Sequence, residues 1–520
     1  MCGIIGILHA NKNKFVNQFL VDGLTILQHR GQDSAGIATI HENHYHMYKN
    51  KGTVSEVFNE TTIASLKGNI GIGHVRYSTL ETSDILEAQP FHTNVPFGIS
   101  IVHNGNLTNT DELMQFMIQH NRYINSVSDS ELLLNLFADQ FGQTSLPQLH
   151  THPDVSISNR IFHSVSSIMQ NCKGGFSVIL MINRVGLVAF RDPHGIRPLC
   201  LGKSEPIHPL RFGKRNVHEY NDFIIASESI AIDIMDSPRF SFVRNILPGE
   251  CLFIDMNCNV QSCIVGNNTD LRPCLFEYIY FARPDSIIDG ISVYESRKRM
   301  GQKLANRIRL AFQANDTSQV SFPNTLLDID VVIPVPETSR ITALEISNIL
   351  QIPYQEGFIK NRYIARTFIL PGQEVRKKSL KLKINTIKSI FLNKNVLIVD
   401  DSIVRGTTSL QLVQLAKNAG AKKIYFSSAA PPVKYQNVYG INIPTTQELI
   451  ANNKTNNEIA RILGVDKVIY NTLEDVIDAC RSCCVNGYPR NFETSCFDGE
   501  YITEDITEEY LEKLEQERTE

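Results

Sequence analysis

Short apolar runs separated by turn residues dominate the first half of the chain. Their length and composition are those of β-strands, so this half is expected to be rich in β-sheet. Two stretches, 143–159 and 203–221, carry Pro, His and polar residues and predict surface insertions. The strand-like runs occupy residues 2–8, 69–74, 98–103 and 176–182.

In the second half, strand-like runs alternate with helical spacing, and the change falls near residues 272–283. This alternation predicts parallel strand–helix–strand units. Strands are expected at 330–335, 395–399 and 423–427, and helices at 338–350 and 407–421. With the boundary placed between 260 and 275, we predict domains at 2–260 and 261–500, followed by an acidic helical tail at 501–520. The tail is expected to be a solvated end.

Composition narrows the class of protein. The chain has 520 residues, of which 42% are hydrophobic and 20% charged, so it can bury large cores. A net charge of -4 argues against a nucleic-acid binder, because phosphate binding needs positive charge. No signal peptide pattern and no apolar run of about 20 residues is present. The 11 scattered cysteines do not resemble a disulfide framework, and a cytoplasmic protein without membrane contact is expected.

Cys2 directly follows the initiator Met. If the Met is removed, Cys2 carries both a thiol and an α-amine, whose pKa of about 8 leaves part of it available as a base. Such a pair can attack a carboxamide without a separate histidine. Taken alone, however, Cys2 fits a small buried residue of the first strand better than a nucleophile.

Four further motifs follow Cys2 in order: LQHRGQDSAG (27–36), GHVRYST (73–79), HNGNL (103–107) and SDSE (128–131). With this ordered set, residues 2–240 resemble the glutamine amidotransferase domain with an amino-terminal nucleophile. The resemblance implies an α+β fold, an αββα sandwich. It also implies that Cys2 is the nucleophile and that Asn104 and Gly105 form the oxyanion hole. Arg76 and Asp129 are then expected to bind the α-carboxylate and α-ammonium of glutamine.

Each of these residues alone has a simpler explanation. HNGN alone predicts a tight turn, since Asn-Gly is a strong hairpin signal. An isolated Arg or Asp forms surface ion pairs that contribute little. The spacing of the histidines matches no zinc site, and we expect packing or hydrogen-bonding roles for them. They are His29, His74, His92 and His103.

A second constellation is NVLIVDDSIVRGTTS (395–409), an apolar strand followed by two acids, a loop with one Gly and hydroxyl residues. The following helix start would expose unpaired N–H groups and a positive dipole end, which favour a phosphate. Carboxylates at the carboxyl end of a strand lie where open α/β sheets bind ligands. Asp-Asp alone would also fit a capping loop.

The whole run resembles the substrate motif of type I phosphoribosyltransferases, which implies an α/β domain with a parallel sheet. The resemblance assigns Asp400 and Asp401 to the ribose hydroxyls of phosphoribosyl pyrophosphate. It assigns the 5′-phosphate to Ser402, Ile403, Val404, Arg405, Gly406, Thr407 and Thr408. The run VIPVPETS (332–339) matches the pyrophosphate-side loop. Mg²⁺ is the implied cofactor, with Thr338, Asp400 and Asp401 as its protein contacts, and such oxygen ligands suit this hard ion.

The segment 360–378 is strongly basic and lies between the two phosphate-binding segments. A nucleic-acid patch or a solvated charged face would have the same composition. We favour a mobile lid, with Lys360 and Arg362 among its substrate contacts, that closes over the diphosphate and neutralises the leaving group.

Three further segments, RDPHGIRPL (191–199), CLFEYIYFARPDS (274–286) and GISVY (290–294), extend the resemblance to nearly the whole chain. The chain resembles the amidophosphoribosyltransferase family. This implies that ammonia released from glutamine at Cys2 passes internally to phosphoribosyl pyrophosphate, giving phosphoribosylamine, glutamate and pyrophosphate at the entry to purine synthesis. Tyr77 is a candidate for linking glutamine binding to the passage. Purine nucleotide inhibitors and a homo-oligomer, dimer or tetramer, are also implied.

Some family members carry an iron–sulfur cluster. Cys274 and Cys496 fall near family cysteine positions, but Asn437 occupies a third position, and the CxxC spacing of Cys480 and Cys483 is only suggestive. We therefore predict no cluster.

Three other functions share part of these motifs. An amidotransferase with another acceptor would need a different second domain. A non-enzymatic regulator that binds phosphoribosyl pyrophosphate would have no use for Cys2, Arg76, Asn104 and Asp129. A free-base phosphoribosyltransferase would leave about half the chain unexplained.

Overall fold

A computed structural model of the chain describes residues 2–77, 85–143, 156–205, 221–235, 239–313, 327–361, 384–484 and 487–519. Of the predicted insertions, residues 144–155 and 206–220 lie outside the described residues, as do residues 362–378 of the basic segment. No helix of the described residues is long and apolar enough to cross a membrane.

The strands of the first half form two antiparallel sheets. The strands are β1 (Gly3–Leu8), β2 (Ser34–His41), β3 (His44–Lys51), β4 (Ile70–Arg76), β5 (Phe91–Thr93), β6 (Ile99–Leu107), β7 (Gly174–Ile182), β8 (Gly186–Arg191), β9 (Cys200–Ser204), β10 (Phe223–Ala226), β11 (Phe240–Asn245), β12 (Glu250–Asp255) and β13 (Val260–Ile264). The first sheet has the order β11-β9-β10-β1-β4-β2-β3 and the second β13-β12-β8-β7-β6-β5. Strand β13 reaches the interval in which the domain boundary was predicted.

Helices cover the outer face of each sheet. Within β1, side chains alternate between two cores, as a strand period of two requires. Ile4 faces the second sheet, where it packs with residues such as Ile179, and Ile5 packs with the helix residue Leu24. A third core joins the second sheet to its own helices. This is the αββα sandwich that the resemblance implied. Its helices are α1 (Asn17–Ile26), α2 (Val54–Val57), α3 (Glu60–Ser65), α4 (Thr110–Gln119), α5 (Asp129–Gln143), α6 (Ile157–Asn171) and α7 (Ile230–Asp233).

The second half contains a four-stranded sheet, β16-β19-β20-β21, in which every neighbouring pair is parallel. Smaller two-stranded pairs lie beside it. The strands of this half are β14 (Ile287–Ile288), β15 (Ile291–Ser292), β16 (Val331–Pro334), β17 (Phe358–Lys360), β18 (Ile384–Thr386), β19 (Asn395–Asp400), β20 (Lys423–Ser428) and β21 (Lys467–Tyr470).

Both faces of the parallel sheet are buried beneath helices, as parallel sheets require. Ile398 faces a core with Leu412, while Leu397 faces a core with Ala343 on the other side. The predicted parallel α/β domain is confirmed. Its helices are α8 (Val293–Gln313), α9 (Arg340–Leu350), α10 (Lys388–Phe391), α11 (Thr407–Asn418), α12 (Asn456–Leu463), α13 (Leu473–Arg481), α14 (Ser495–Asp498) and α15 (Glu508–Thr519).

The carboxyl-terminal helix α15 departs from the expectation of a solvated end. Its apolar residues Tyr510, Leu511 and Leu514 pack against a core of the second half. The Glu515 carboxylate accepts hydrogen bonds from the main-chain N–H of Thr446 at 2.9 Å and the side-chain amide of Gln436 at 2.8 Å. The acidic composition hides an apolar stripe with helical spacing, which the charge pattern alone did not reveal.

Candidate functional site

A cavity of about 610 Å³ lies between the two halves of the chain, and Cys2, the candidate nucleophile, lines it. Of the five residues predicted for glutamine chemistry, Cys2, Arg76, Gly105 and Asp129 line this cavity. The second half supplies another part of the wall, including Val438, Gly440 and Tyr510. Residues far apart in the sequence therefore meet in one polar cavity.

Asn104 holds the main chain of Cys2. The backbone N–H of Cys2 donates to Oδ1 of Asn104 at 3.0 Å. The Asn104 side chain is fully buried, and its Nδ2 has no hydrogen-bond partner among the described residues. An unpaired buried donor is costly, so an unused amide beside a nucleophile is suited to an acceptor that arrives with substrate.

Gly105 continues β6 beyond Asn104 with a φ of 154°. A Cβ at this position would lie 2.0 Å from the carbonyl oxygen of Gly175, so no side chain fits. The second half approaches the same backbone, because a Cβ on Gly440 would lie 2.9 Å from the carbonyl carbon and oxygen of Gly105. Close packing across the junction thus fixes the end of β6, which is predicted to form the oxyanion hole.

Arg76 ends β4 with its guanidinium between two carboxylates. Its Nη1 donates to Asp33 at 2.9 Å, and its Nη2 donates to Glu87. All three side chains are nearly buried. A bidentate guanidinium suits a carboxylate ligand, but both of these donors already have carboxylate partners. These two contacts engage two of the five N–H donors of the guanidinium, which leaves donors for an α-carboxylate.

Asp129 begins α5 and faces the loop after β6. Its Oδ2 accepts the main-chain N–H of Leu107 at 3.0 Å, and its Oδ1 lies 3.6 Å from Nδ1 of His103. Burial by itself raises the pKa of Asp129, but the neighbouring His103 ring and hydrogen bonds from Leu107 and Ser130 lower the pKa below its ordinary value. The carboxylate therefore stays ionised, as pairing with an ammonium group requires.

The predicted histidines serve as hydrogen-bonded or packed residues. His29 contacts Glu228 at 2.7 Å, His92 contacts Ser100 at 3.0 Å, and His103 contacts Ser130 at 3.0 Å. His74 is fully buried, and burial lowers its pKa well below the ordinary value. No group of three or more His, Cys, Asp or Glu side chains within the described ranges could hold a metal ion.

Asp400 and Asp401 stand at the carboxyl end of β19, beside the end of β16. The Thr338 hydroxyl donates to Asp401, and the Ser402 hydroxyl donates to it at 2.7 Å. Burial, followed by the charge of Asp401, raises the pKa of Asp400 well above its ordinary value. Burial also raises the pKa of Asp401, although hydrogen bonds from Thr338 and Ser402 act in the opposite direction. A cation or hydroxyl donors beside this pair would stabilise its ionised carboxylates.

The loop after Asp401 turns into α11 through Gly406, whose φ is 76°. A Cβ there would lie 2.4 Å from Cδ1 of Ile450, so the turn excludes a side chain. Thr407 and Thr408 are exposed at the helix start, where N–H groups lack partners within the helix. Ile403 is buried in the core, which leaves only its main chain for a phosphate. Ser402 and Val404 are half-buried, and Arg405 is exposed and pairs with Glu448 at 3.2 Å.

Lys360 ends β17 as an exposed residue, while Arg362 lies outside the described residues. The predicted lid and its substrate contacts therefore stay predictions. Tyr77 follows Arg76 and lines the cavity.

Sequence reasoning missed a buried ionic cluster at the junction. It contains Arg30, Arg197, Glu228 and Glu277, each at most 1% exposed. The available signal was a charged residue inside an apolar run, as Glu277 is within Leu275–Ile279, since buried charges must be paired.

Known proteins are similar to this chain over nearly its whole length. Residues 74–215 match the family profile described as "Glutamine amidotransferase domain". The chain is 47% identical to the amidophosphoribosyltransferase of Pasteurella multocida, an alignment that covers 100% of this chain and 96% of that protein. For the enzyme of the same name from Escherichia coli, identity is 46%, with coverage of 99% and 95%.

A solved structure has the same fold. It is the glutamine phosphoribosylpyrophosphate amidotransferase from B. subtilis complexed with ADP and GMP, with a TM-score of 0.78 and 31% identity. The superposition covers 98% of each chain.

Proposed function

The chain belongs to the amidophosphoribosyltransferase family, and on that premise we propose how its residues carry out the reaction. It is an enzyme of purine synthesis that uses glutamine to convert phosphoribosyl pyrophosphate to phosphoribosylamine. Glutamate and pyrophosphate are the other products. We assign release of ammonia to the cavity at Cys2 and transfer of ammonia to the carboxyl edge of the parallel sheet.

In the first half-reaction, the Cys2 thiolate attacks the carboxamide carbon of glutamine. The oxyanion that forms accepts hydrogen bonds from Nδ2 of Asn104 and the N–H of Gly105. The unpartnered state of Asn104 Nδ2 supports this role, because a preorganised donor stabilises charge that develops only in the transition state. The α-amine of Cys2, which takes up the thiol proton, returns this proton to the amide nitrogen as the C–N bond breaks. A glutamyl thioester and ammonia result, and water then hydrolyses the thioester.

Arg76 and Asp129 orient the amino-acid end of glutamine in this scheme. Asp129 holds the α-ammonium, and its lowered pKa supports an ionised carboxylate at neutral pH. Arg76 holds the α-carboxylate through its guanidinium. After removal of Met1, the α-amine of Cys2 would act as the base, held by Oδ1 of Asn104.

In the second half-reaction, ammonia attacks C1 of the ribose and pyrophosphate departs. Asp400 and Asp401 accept hydrogen bonds from the ribose hydroxyls. The turn at Gly406 and the start of α11 hold the 5′-phosphate through Ser402, the main chain of Ile403 and Val404, Thr407 and Thr408. Lys360, Arg362 and Arg405 supply positive charge. An internal passage protects ammonia from protonation in bulk water, with Tyr77 at its glutamine end.

Mg²⁺ fits the edge of the sheet at Thr338, Asp400 and Asp401. Two buried carboxylates with raised pKa values and a neighbouring hydroxyl form an oxygen donor set. Mg²⁺ usually takes one or two protein carboxylates and fills its other positions with water and substrate phosphates. When bound, it would neutralise charge on the departing pyrophosphate.

We further propose that purine nucleotides inhibit the enzyme. The ADP and GMP named for the B. subtilis structure support this. A cytoplasmic homo-oligomer without an iron–sulfur cluster also remains our prediction.

The observation that carries the proposal is that Cys2, Arg76, Gly105 and Asp129 line one cavity whose wall includes the second half. The test compares wild type with Cys2→Ala, measuring glutamate and pyrophosphate with glutamine or with ammonium at alkaline pH. We expect Cys2→Ala to lose glutamine-dependent activity and keep ammonia-dependent pyrophosphate release. Pyrophosphate release that needs no nitrogen source would overturn the assignment of the second site.

A further inference from the structure

Glu277 is a buried carboxylate that the second half of the chain extends toward the glutamine cavity. It begins the π-helix Glu277–Phe281, and it is 1% exposed among apolar neighbours. Its Oε1 accepts from Nη2 of Arg30 at 2.7 Å, and its Oε2 accepts from Nη1 at 3.1 Å. One carboxylate of the second half thus takes both ends of a guanidinium of the first half.

Arg30 carries this contact to the nucleophile. It ends the short 3₁₀ helix Leu27–Arg30 and is 1% exposed. Its Nε donates to the carbonyl oxygen of Cys2 at 2.9 Å, and Nη1 also donates to Glu228 at 2.5 Å. Burial alone would lower the pKa of Arg30, but the charges of Glu277 and Glu228 raise it, so the guanidinium is a fixed cation. A planar fork with every edge engaged holds the Cys2 main chain in one place.

A second series of contacts leads from Glu277 to Gly105, in the part of β6 that is proposed to form the oxyanion hole. Its Oε1 lies 3.6 Å from Nη1 of Arg197. The Nε of Arg197 donates to the carbonyl oxygen of Tyr439 at 2.7 Å, and the next residue, Gly440, packs on the backbone of Gly105. Two series of contacts from the same carboxylate therefore reach the Cys2 carbonyl and the end of β6, which carries Asn104.

We infer that Glu277 is a positioning residue for ammonia release from glutamine. It fixes the Cys2 main chain through Arg30, and through Arg197 it fixes the segment at Gly440 that packs on Gly105. The second half of the chain thereby completes the glutamine site. Misplacing a reacting atom by about 1 Å can lower a rate about 100-fold, so loss of this support has a kinetic effect. The inference rests on the proposed role of Cys2 as the nucleophile.

The alternative is a purely structural role, in which Glu277 only holds the two halves of the chain together. The chain offers a matched pair for this comparison. Arg191 and Asp289 are also buried, bind each other through two hydrogen bonds of 2.8 Å and cross the same junction. Within the described residues, neither side chain contacts Cys2, Asn104 or Arg30. Arg191 does donate to the carbonyl oxygen of Arg197 at 2.6 Å, so this pair shares a main-chain contact with the second series of contacts but not with the series through Arg30 to Cys2. Removing either carboxylate leaves a buried guanidinium without its main partner.

The experiment compares Glu277→Gln with Asp289→Asn in the full chain. For each variant, kcat and KM are measured with glutamine and with ammonium, together with the rate of Cys2 alkylation by iodoacetamide. We expect Glu277→Gln to lower kcat with glutamine at least tenfold and to change the alkylation rate. Ammonia-dependent kcat should stay within about twofold, as should the ratio of glutamine to ammonia activity in Asp289→Asn. Glu277→Asp, which keeps the charge, should recover part of the loss.

Several outcomes would overturn the inference. One is a Glu277→Gln enzyme with normal kcat for glutamine, and another is an equal selective loss in Asp289→Asn. A third is a proportional loss with both nitrogen sources, which indicates a structural role. If Glu277→Gln fails to fold, Glu277→Asp decides by the same activity ratio. Cys2→Ala tests the proposed nucleophile separately, so failure of that role can be told apart from failure of the positioning role.

Discussion

Replacing Asn104 by Asp isolates the donor that the oxyanion would use. The Asn104 side chain is fully buried, its Oδ1 accepts from the Cys2 N–H at 3.0 Å, and its Nδ2 is unpartnered among the described residues. Asp keeps an acceptor for Cys2 but replaces the free donor with an oxygen. Loss of one oxyanion donor lowers kcat by about 10²–10³, or about 2.7–4 kcal/mol of transition-state stabilisation. The stability contribution of an ordinary hydrogen bond, about 1 kcal/mol, is smaller.

We therefore expect Asn104→Asp to lower kcat for glutamine about 100-fold or more, with a small change in KM. The assay follows glutamate release with glutamine and pyrophosphate release with ammonium, and the second activity should be unchanged. Asn135→Asp on α5 is the matched control, because among the described residues its side-chain amide donates only to a helix carbonyl, that of Glu131, at 3.0 Å. A loss of less than tenfold with glutamine, in a folded variant, would refute the role of Asn104 as an oxyanion donor.

Three further changes test other parts of the site. Asp129→Asn should raise the KM for glutamine at least tenfold. Because the pKa of Asp129 is lowered from 3.8, its carboxylate stays ionised from pH 8 to pH 5, and the ratio of variant to wild-type KM should stay constant over this range. A ratio that falls to one near pH 6 contradicts this. Gly440→Ala should lower kcat with glutamine about tenfold and leave activity with ammonium unchanged. Gly440 has a φ of 98°, and a Cβ there would lie 2.9 Å from the backbone of Gly105. Equal losses with glutamine and with ammonium would argue against coupling between Gly440 and Gly105. Asp400→Asn should abolish transfer of ammonia yet raise Tm by a few degrees at pH 8. The folded pKa of Asp400 is raised, and such an acid destabilises the fold as the pH rises above its unfolded pKa of about 3.9. Thermal denaturation at pH 5 and pH 8 measures this effect, and a lowered Tm at pH 8 would show that the sign is wrong.

The sequence alone determined the strands and helices that carry the motifs. β1, β4, β6 and β7 lie within the predicted apolar runs to within a few residues, and β16, α9, β19, α11 and β20 follow in the predicted order. Alternation with a period of two and helical spacing are local properties, so they can be read from neighbouring residues. The motif residues of each half were also identifiable, because each motif lies on one continuous segment.

Only the tertiary structure decided which side chains meet. Cys2 and Asn104 are 102 residues apart, and the contact between them depends on how two sheets pack. The partners of Arg76, and the route from Glu277 through Arg30 to Cys2, depend on strand register and on the junction between the halves. The buried side of α15 depends on the surface that it meets. A local pattern specifies which face of an element is apolar, but a partner for a buried charge is fixed only when distant segments pack together.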